Sequence, residues 1–203
     1  VTMNNWIDDV SAIVDGWYGG EEGGNAIADA LFGDYNPAGR LPITFPQSVG
    51  QAPLYYSTKP SGRGYDYVSM SGKPLFAFGY GLSYTTFSYT NLQISPRQSS
   101  GTDTVTVSFD LQNSGSRAGD EVAQCYFHDL VRSVIRPMKE LKAFQRVTLQ
   151  PGEKKSIAFR FSRKDLAFYN RDMQLTVEPG ATRVMIGGSS EESRLEGEFV
   201  IVR

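Results

Sequence analysis

The sequence predicts an α/β fragment followed by an all-β sandwich of the immunoglobulin type. Apolar residues recur at helical spacing near the N-terminus, and short alternating segments fill the second half of the chain. The 203 residues include 12 Phe, 11 Tyr and 21 Gly, a composition typical of strands joined by frequent turns. We therefore divide the chain into 1–46, the end of an α/β domain, 47–85, a connector, and 86–203, the β-sandwich.

A short helix is predicted over 25–32 in the first part. Asn25 is a suitable N-cap after two glycines, and Gly33 is a suitable stop. The apolar residues at helical spacing are Ala26, Ile27, Ala30 and Leu31. Acidic residues before the helix, Glu21 and Glu22, would complement the positive end of its dipole.

The rest of 1–46 is too little to enclose a core. Residues 1–3 could end a strand, 9–18 form an apolar-rich element, and 41–45 predict a short strand between prolines. Alone, this part would leave apolar side chains in water, namely Ile7, Val10, Ile13, Trp17, Ile27, Leu31 and Phe32. We expect it to be ordered only while docked against a larger body, so that the chain is one piece of a longer protein.

The sandwich prediction for 86–203 comes from alternation. Val105, Val107, Phe109 and Leu111 alternate with polar residues, as in a half-buried strand. The predicted strands cover 105–111, 121–127, 142–149, 156–161, 175–178, 183–186 and 198–202. Roughly seven short strands with turns between them are typical of an immunoglobulin-like sandwich.

The connector 47–85 has no clean periodicity and many aromatic residues, which favour packing over disorder. We expect the run 76–87 to be an interdomain clasp in which Gly79 and Gly81 let the backbone approach a neighbour. Several tyrosines could instead stack on sugar rings, but packing is the favoured interpretation. They are Tyr55, Tyr56, Tyr65, Tyr67, Tyr80 and Tyr84.

Composition limits the partners. A formal net charge of −2 gives no reason to expect nucleic acid or an anionic membrane, and no apolar run is long enough for a membrane span. With one cysteine, Cys125, and one histidine, His128, neither an internal disulfide nor a cysteine- or histidine-rich metal site is expected. Cys125 is most simply a buried small apolar residue.

Three groups of residues are candidates for chemistry. Glu21 and Glu22 could form a carboxylate pair, but the helix-end role is favoured. His128 beside Asp129 invites comparison with a catalytic triad, yet no serine or cysteine elbow accompanies them, so a hydrogen-bonded loop histidine is preferred.

A charged cluster follows a proline-containing loop and comprises Arg136, Lys139, Glu140 and Lys142. We expect Glu140 to be a structural partner of nearby cations. The segment 128–135 could touch other domains, because loops at one end of a sandwich are natural contact sites.

Three motifs carry a family resemblance. The run 19–42 contains GGEEGGNAIADALFGDYNPAGRLP, 78–87 reads FGYGLSYTTF, and 136–144 reads RPMKELKAF. In this order they resemble the C-terminal part of family 3 glycoside hydrolases, where an α/β sandwich domain is followed by a fibronectin-III-like domain. The resemblance spans nearly the whole chain.

The resemblance implies part of a retaining, exo-acting β-glucosidase that releases glucose from non-reducing ends, with no cofactor and a periplasmic or secreted location. The family's nucleophilic Asp and acid/base Glu match no position here and are expected upstream, so this chain alone should be inactive. It would complete the sandwich domain and support the catalytic domains. Those upstream barrel and sandwich domains could precede it in one polypeptide or form a separate chain of a nicked or split enzyme. The alternative is a free-standing carbohydrate-binding or scaffold module, which an incomplete α/β element at 1–46 argues against.

Overall fold

A computed structural model describes residues 2–61 and 66–202. Two short 3-10 helices cover Ile7–Asp9 and Val49–Gln51, and two α-helices cover Gly23–Phe32 (α1) and Arg163–Leu166 (α2). The strands are β1 Phe87–Ser95, β2 Gln98–Ser99, β3 Val105–Asn113, β4 Gly119–Asp129, β5 Glu140–Leu149, β6 Lys154–Phe161, β7 Phe168–Tyr169, β8 Leu175–Thr176, β9 Gly180–Gly187 and β10 Ser193–Ile201.

Helix α1 forms as predicted but starts earlier. Its N-cap is Glu22, whose carbonyl accepts the first helical bond from the Ala26 amide at 3.0 Å. Asn25 as N-cap was therefore wrong, because the two preceding glycines adopt helical angles and place Asn25 inside the first turn. Gly33 ends the helix in a left-handed conformation with φ 87°, as predicted, and its amide donates to the Asp29 carbonyl at 3.0 Å.

The strand expected over 41–45 reduces to one bridge, between Phe45 and Phe76. Leu41 exchanges backbone hydrogen bonds with the segment 79–80, but Pro42 has no N–H to continue a ladder. Residues 10–18 have no regular secondary structure, and neither Thr2 nor Met3 lies in a strand. Val1, the first residue of the expected strand 1–3, is outside the described residues.

The second half of the chain is a two-sheet sandwich. One sheet has the order β1-β3-β6 and the other β2-β10-β9-β4-β5, and the neighbours are antiparallel except β2 beside β10. The predicted β3, β4, β5, β6, β9 and β10 are confirmed with small shifts at their ends. The predicted strand 175–178 shortens to β8, which pairs with β7 in a small hairpin.

The core lies between the two sheets. Alternate residues of β3 are buried, and Val105, Val107, Phe109 and Leu111 have almost no exposed surface. Phe127 of β4 is at the centre, with its ring 4.6 Å from that of Phe161 and 5.6 Å from that of Phe199. The long alternating strands thus supply the apolar area that stabilises the sandwich.

The connector covers the outer side of the five-stranded sheet. Tyr126 projects from β4 and is buried under Tyr56, at 5.8 Å between ring centroids, and Phe78 stacks on Tyr56 at 4.3 Å. The Gln124 amide donates to the carbonyl of Gly79 at 3.2 Å. These contacts agree with the expected clasp, while the division of the chain at residues 46 and 85 stays a prediction.

Candidate functional site

The glycine run places its two acids at a helix end. Glu21 and Glu22 are both exposed in the turn before α1, and one carboxylate oxygen of Glu22 accepts from the Asn25 side chain at 2.6 Å. Neither acid lines the large groove described next. The geometry supports the helix-end interpretation of this pair over a pair of catalytic carboxylates.

An open apolar groove of ≈ 510 Å³ lies between the N-terminal segment, residues 2–46, and the connector, residues 47–85. We call it the N-terminal groove; its lining includes Ile7, Ile13, Val14, Leu41, Phe76 and Leu82. Next to it, α1 leaves Leu31 and Phe32 mostly exposed, and Trp17 is 54% exposed. An apolar surface of this extent is typical of a binding or docking site.

One wall of the groove is built by close backbone contacts. The Leu41 amide donates to the Tyr80 carbonyl, and the Gly79 amide donates to the Leu41 carbonyl, both at 2.8 Å. A Cβ on Gly81 would collide with the carbonyl of Gly39, so glycine is required there. The Tyr80 ring stacks on Phe76 at 5.2 Å between centroids.

A buried ion pair joins the groove to the sandwich. Arg40 Nη2 donates to both carboxylate oxygens of Glu121 at 3.0 Å, and the side chains are only 11% and 7% exposed. Arg40 belongs to the N-terminal segment and Glu121 to β4, so the pair fixes one against the other. In this dry setting the loss of either partner would leave an uncompensated charge.

Further hydrogen bonds hold the end of α1 to the sandwich side. The Tyr84 hydroxyl donates to the Ala30 carbonyl at 2.6 Å, and Arg117 donates to the Gly33 carbonyl at 2.5 Å. Asn36 donates to the Ala118 carbonyl at 2.9 Å. The C-terminal end of α1 is thus anchored, while residues before α1, such as Ile7 and Ile13, line the open groove.

The tyrosines divide into two sets. Tyr56, Tyr80 and Tyr84 pack or hydrogen-bond within the chain, as the packing interpretation expects. Tyr55 and Tyr67 are more than half exposed, and Tyr65 lies outside the described residues. The structure therefore does not bring the set together into one sugar-binding platform.

His128 and Asp129 lie at the end of β4 but do not form a catalytic pair. Asp129 accepts from the Thr182 hydroxyl at 2.7 Å and from Arg132 at 2.8 Å. Burial, followed by the nearby charge of Arg183, lowers the pKa of His128, and Asp129 opposes this only partly. The half-buried position of His128 therefore favours its neutral imidazole form.

Cys125 is buried in the core, as predicted, and its burial raises the pKa of the thiol. Such a thiol is unreactive because the thiolate is the nucleophile. No group of three or more metal-ligating side chains occurs among the described residues.

The charged cluster is ion-paired. Glu140 accepts from Arg136 at 2.6 Å and lies 3.6 Å from the Lys142 ammonium, which confirms it as the partner of nearby cations. Lys139 instead binds Glu191, at 3.1 Å. The Arg136 guanidinium also lies over the Phe168 ring at 4.9 Å.

The comparisons agree with this architecture. Residues 1–84 match the model of the glycosyl hydrolase family 3 C-terminal domain, and residues 121–190 match that of the fibronectin type III-like domain. A periplasmic beta-glucosidase from Salmonella typhimurium is 44% identical over 94% of this chain and 26% of its own length. A beta-xylosidase from Formosa agariphila is 40% identical over all of this chain and 28% of its own length.

Solved structures give the same result. A β-glucosidase from Erythrobacter marinus superimposes with a TM-score of 0.92 at 42% identity, over 97% of this chain and 26% of that one. A beta-glucosidase from Listeria innocua in complex with glucose superimposes with a TM-score of 0.91 at 34% identity. The match covers 98% of this chain and 29% of that one. These matches define a glycoside hydrolase C-terminal domain joined to a fibronectin-III-like sandwich.

The chain belongs to glycosyl hydrolase family 3 and carries the C-terminal portion of such an enzyme. It spans about a quarter of the length of the relatives it matches. No helix in the described ranges is long and apolar enough to cross a membrane.

Proposed function

We propose that this chain serves as the C-terminal part of a retaining, exo-acting β-glucosidase that hydrolyses terminal non-reducing β-D-glucosyl residues. The main support is the match of almost the whole chain to β-glucosidases, at 44% identity in the Salmonella relative. The location would be periplasmic or secreted, as the name of that relative suggests.

The N-terminal groove supports a role beside other domains of the same enzyme. Ala12, Ile13 and Val14 are consecutive apolar residues, and the backbone of 11–14 makes no hydrogen bond to any other part of residues 2–61 and 66–202. A run of this kind suits a strand that is buried on both faces of a parallel sheet. We infer that the remaining part of the α/β domain supplies the neighbouring strand and fills the groove.

The catalytic carboxylates would then come from the part of the enzyme outside this chain. The retaining mechanism uses a nucleophile and an acid/base about 5–5.5 Å apart. Glu21 and Glu22 sit at a helix end, and the family's catalytic positions have no counterpart here. The role of this chain is to complete the domain and to hold it against the sandwich through Arg40 and Glu121.

The test is hydrolysis of an aryl β-glucoside by the 203-residue chain, by the upstream domains, and by the two together. We expect turnover only with both parts present, and no loss of kcat on Glu21→Gln or Glu22→Gln. Activity of the chain alone that disappears in either variant would instead make the glycine run an active site.

The same assay tests which sugar the joined enzyme releases. The Formosa relative is named a beta-xylosidase, so an aryl β-xyloside is the matched comparison. A joined enzyme that cleaves the xyloside and leaves the glucoside intact would replace glucose by xylose in the proposal.

A further inference from the structure

The end of the sandwich at the β4–β5 loop carries a cluster of exposed apolar side chains. The loop 130–136 contributes Val131 and Ile135, 74% and 63% exposed. The β7–β8 hairpin contributes Tyr169, Met173 and Leu175, each more than half exposed. We call these five side chains the end patch.

The two segments that carry the end patch are bound to each other. Glu178 accepts from the backbone amide of Ser133 at 2.8 Å and from its hydroxyl at 2.5 Å. Arg171 of the hairpin turn donates to the Ser133 carbonyl at 2.9 Å. Arg132, with a side chain only 3% exposed, is fixed by Asp129 at 2.8 Å.

These bonds anchor the loop although its apolar side chains face solvent. Met173 in addition has φ 58°, a left-handed conformation that a methionine rarely adopts. Strained residues cluster at binding sites, where the surrounding contacts hold them in place. A surface prepared in advance loses little conformational entropy when a partner binds.

The chemistry of the end patch favours a protein partner over a sugar. Four of its side chains are aliphatic or thioether groups, namely Val131, Ile135, Met173 and Leu175. Sugar rings are bound on flat aromatic faces with polar groups around them, and Tyr169 is the one ring in the set. Aliphatic patches instead bury well against protein surfaces.

The path of the connector indicates which protein surface covers the end patch. The Met138 amide, just after the loop, donates to the Thr58 carbonyl at 2.8 Å, and the Leu141 amide donates to the Tyr56 hydroxyl at 3.3 Å. The connector thus runs from the N-terminal groove, which it lines with Phe76 and Leu82, to the segment just after the loop. A body docked along the connector would reach this end of the sandwich. About three quarters of the length of each relative lies outside the matched region, at 26% coverage, and a covalently joined body has a high effective concentration.

The geometry points to the end patch as a second docking surface, whose occupant is the remaining part of the same enzyme. This inference rests on the proposed function, because it requires the enzyme's other domains. The sandwich is then held at two places, through Arg40 and Glu121 on one side and through the end patch at its far loop.

Peroxide oxidation of Met173 in the full-length enzyme tests this, followed by peptide mass spectrometry. We expect Met173 to oxidise at least about tenfold more slowly than in the 203-residue chain, toward the rate of the buried Met185. Val131→Asp in the full-length enzyme should restore fast oxidation. Ala158→Asp, a matched change at an exposed apolar position on β6 in the three-stranded sheet, should not.

Equal oxidation rates in chain and enzyme would overturn the inference. Protection that disappears on dilution would assign the patch to a second copy, and protection that requires an added glucose oligosaccharide would assign it to sugar. Either result also refutes docking to the same chain. Activity on an aryl β-glucoside is measured separately, so a failure of the proposed function leaves the oxidation result readable.

Discussion

Removing the cation of the Arg40–Glu121 pair should strongly destabilise the packing of the N-terminal segment against the sandwich. In Arg40→Met the Glu121 carboxylate keeps its charge in a site where the wild-type side chains are 11% and 7% exposed. Removal of one partner from a buried pair costs about 3–5 kcal/mol, whereas an exposed pair is worth about 0–1 kcal/mol. Because both side chains are buried, the larger cost applies to this pair.

Two spectroscopic signals report the effect separately. Both tryptophans, Trp6 and Trp17, lie in the N-terminal segment, so their fluorescence follows that segment during urea unfolding. Far-UV circular dichroism follows mainly the strands of the sandwich. We expect Arg40→Met to lower the free energy of unfolding from the fluorescence transition by about 3–5 kcal/mol, with a smaller change in the dichroism transition.

The double variant Arg40→Met with Glu121→Met is the control. It removes both charges and keeps apolar volume, so it should recover most of the loss. A loss below about 1 kcal/mol in Arg40→Met, or a double variant as unstable as the single one, would refute the reasoning.

Three further predictions follow from the connector and β4. Gly79 has φ 81° and a Cβ would collide with the Gln124 side chain, so Gly79→Ala should destabilise by about 1–3 kcal/mol in urea unfolding. Tyr80→Ala removes the ring stacked on Phe76 and should cost about 2 kcal/mol, with little change in the Michaelis constant of the full enzyme for a small glucoside. His128, the one histidine of the chain, should titrate below 6.5 by proton NMR because burial lowers its pKa. Its neutral form is favoured in the fold, so its stability contribution is present above pH 6.5 and is lost as the pH falls through the folded pKa.

Each of these three predictions would be contradicted by a specific result. A stable Gly79→Ala variant would mean that the connector is loosely held on β4. A large rise in the Michaelis constant for Tyr80→Ala at unchanged stability would place the ring in the sugar subsite. A His128 pKa above 6.5 would mean that the Asp129 carboxylate outweighs burial.

The alternation of apolar and polar residues predicted the sandwich well, because most of its strands bury one face. β3 shows this clearly, with every second residue from Val105 to Asn113 buried. β1 was missed, since a register shift between Thr90 and Gln93 breaks its alternation, and Asn91 adopts φ 57° at that point. A bulge changes which face each following residue takes, and local periodicity does not reveal it.

The site was less predictable, because its contacts join residues far apart in the chain. Arg40 and Glu121 are separated by 81 positions, and Arg40 was seen only as part of the glycine-rich motif. The sequence did contain one indication of this contact. Glu121 lies two and four residues before the buried Ala123 and Cys125, so its side chain lies on the same face of β4. A carboxylate on a core-facing position requires a cation, and the groove-lining arginine supplies it.

The two sheets leave β5 and β6 each at the edge of its own sheet. β5 carries Lys142 and Arg146, and β6 carries Lys154, Lys155 and Arg160. Charged side chains on edge strands hinder pairing with a strand of another molecule. Copies that expose the N-terminal groove are therefore hindered from pairing with one another through these two edges.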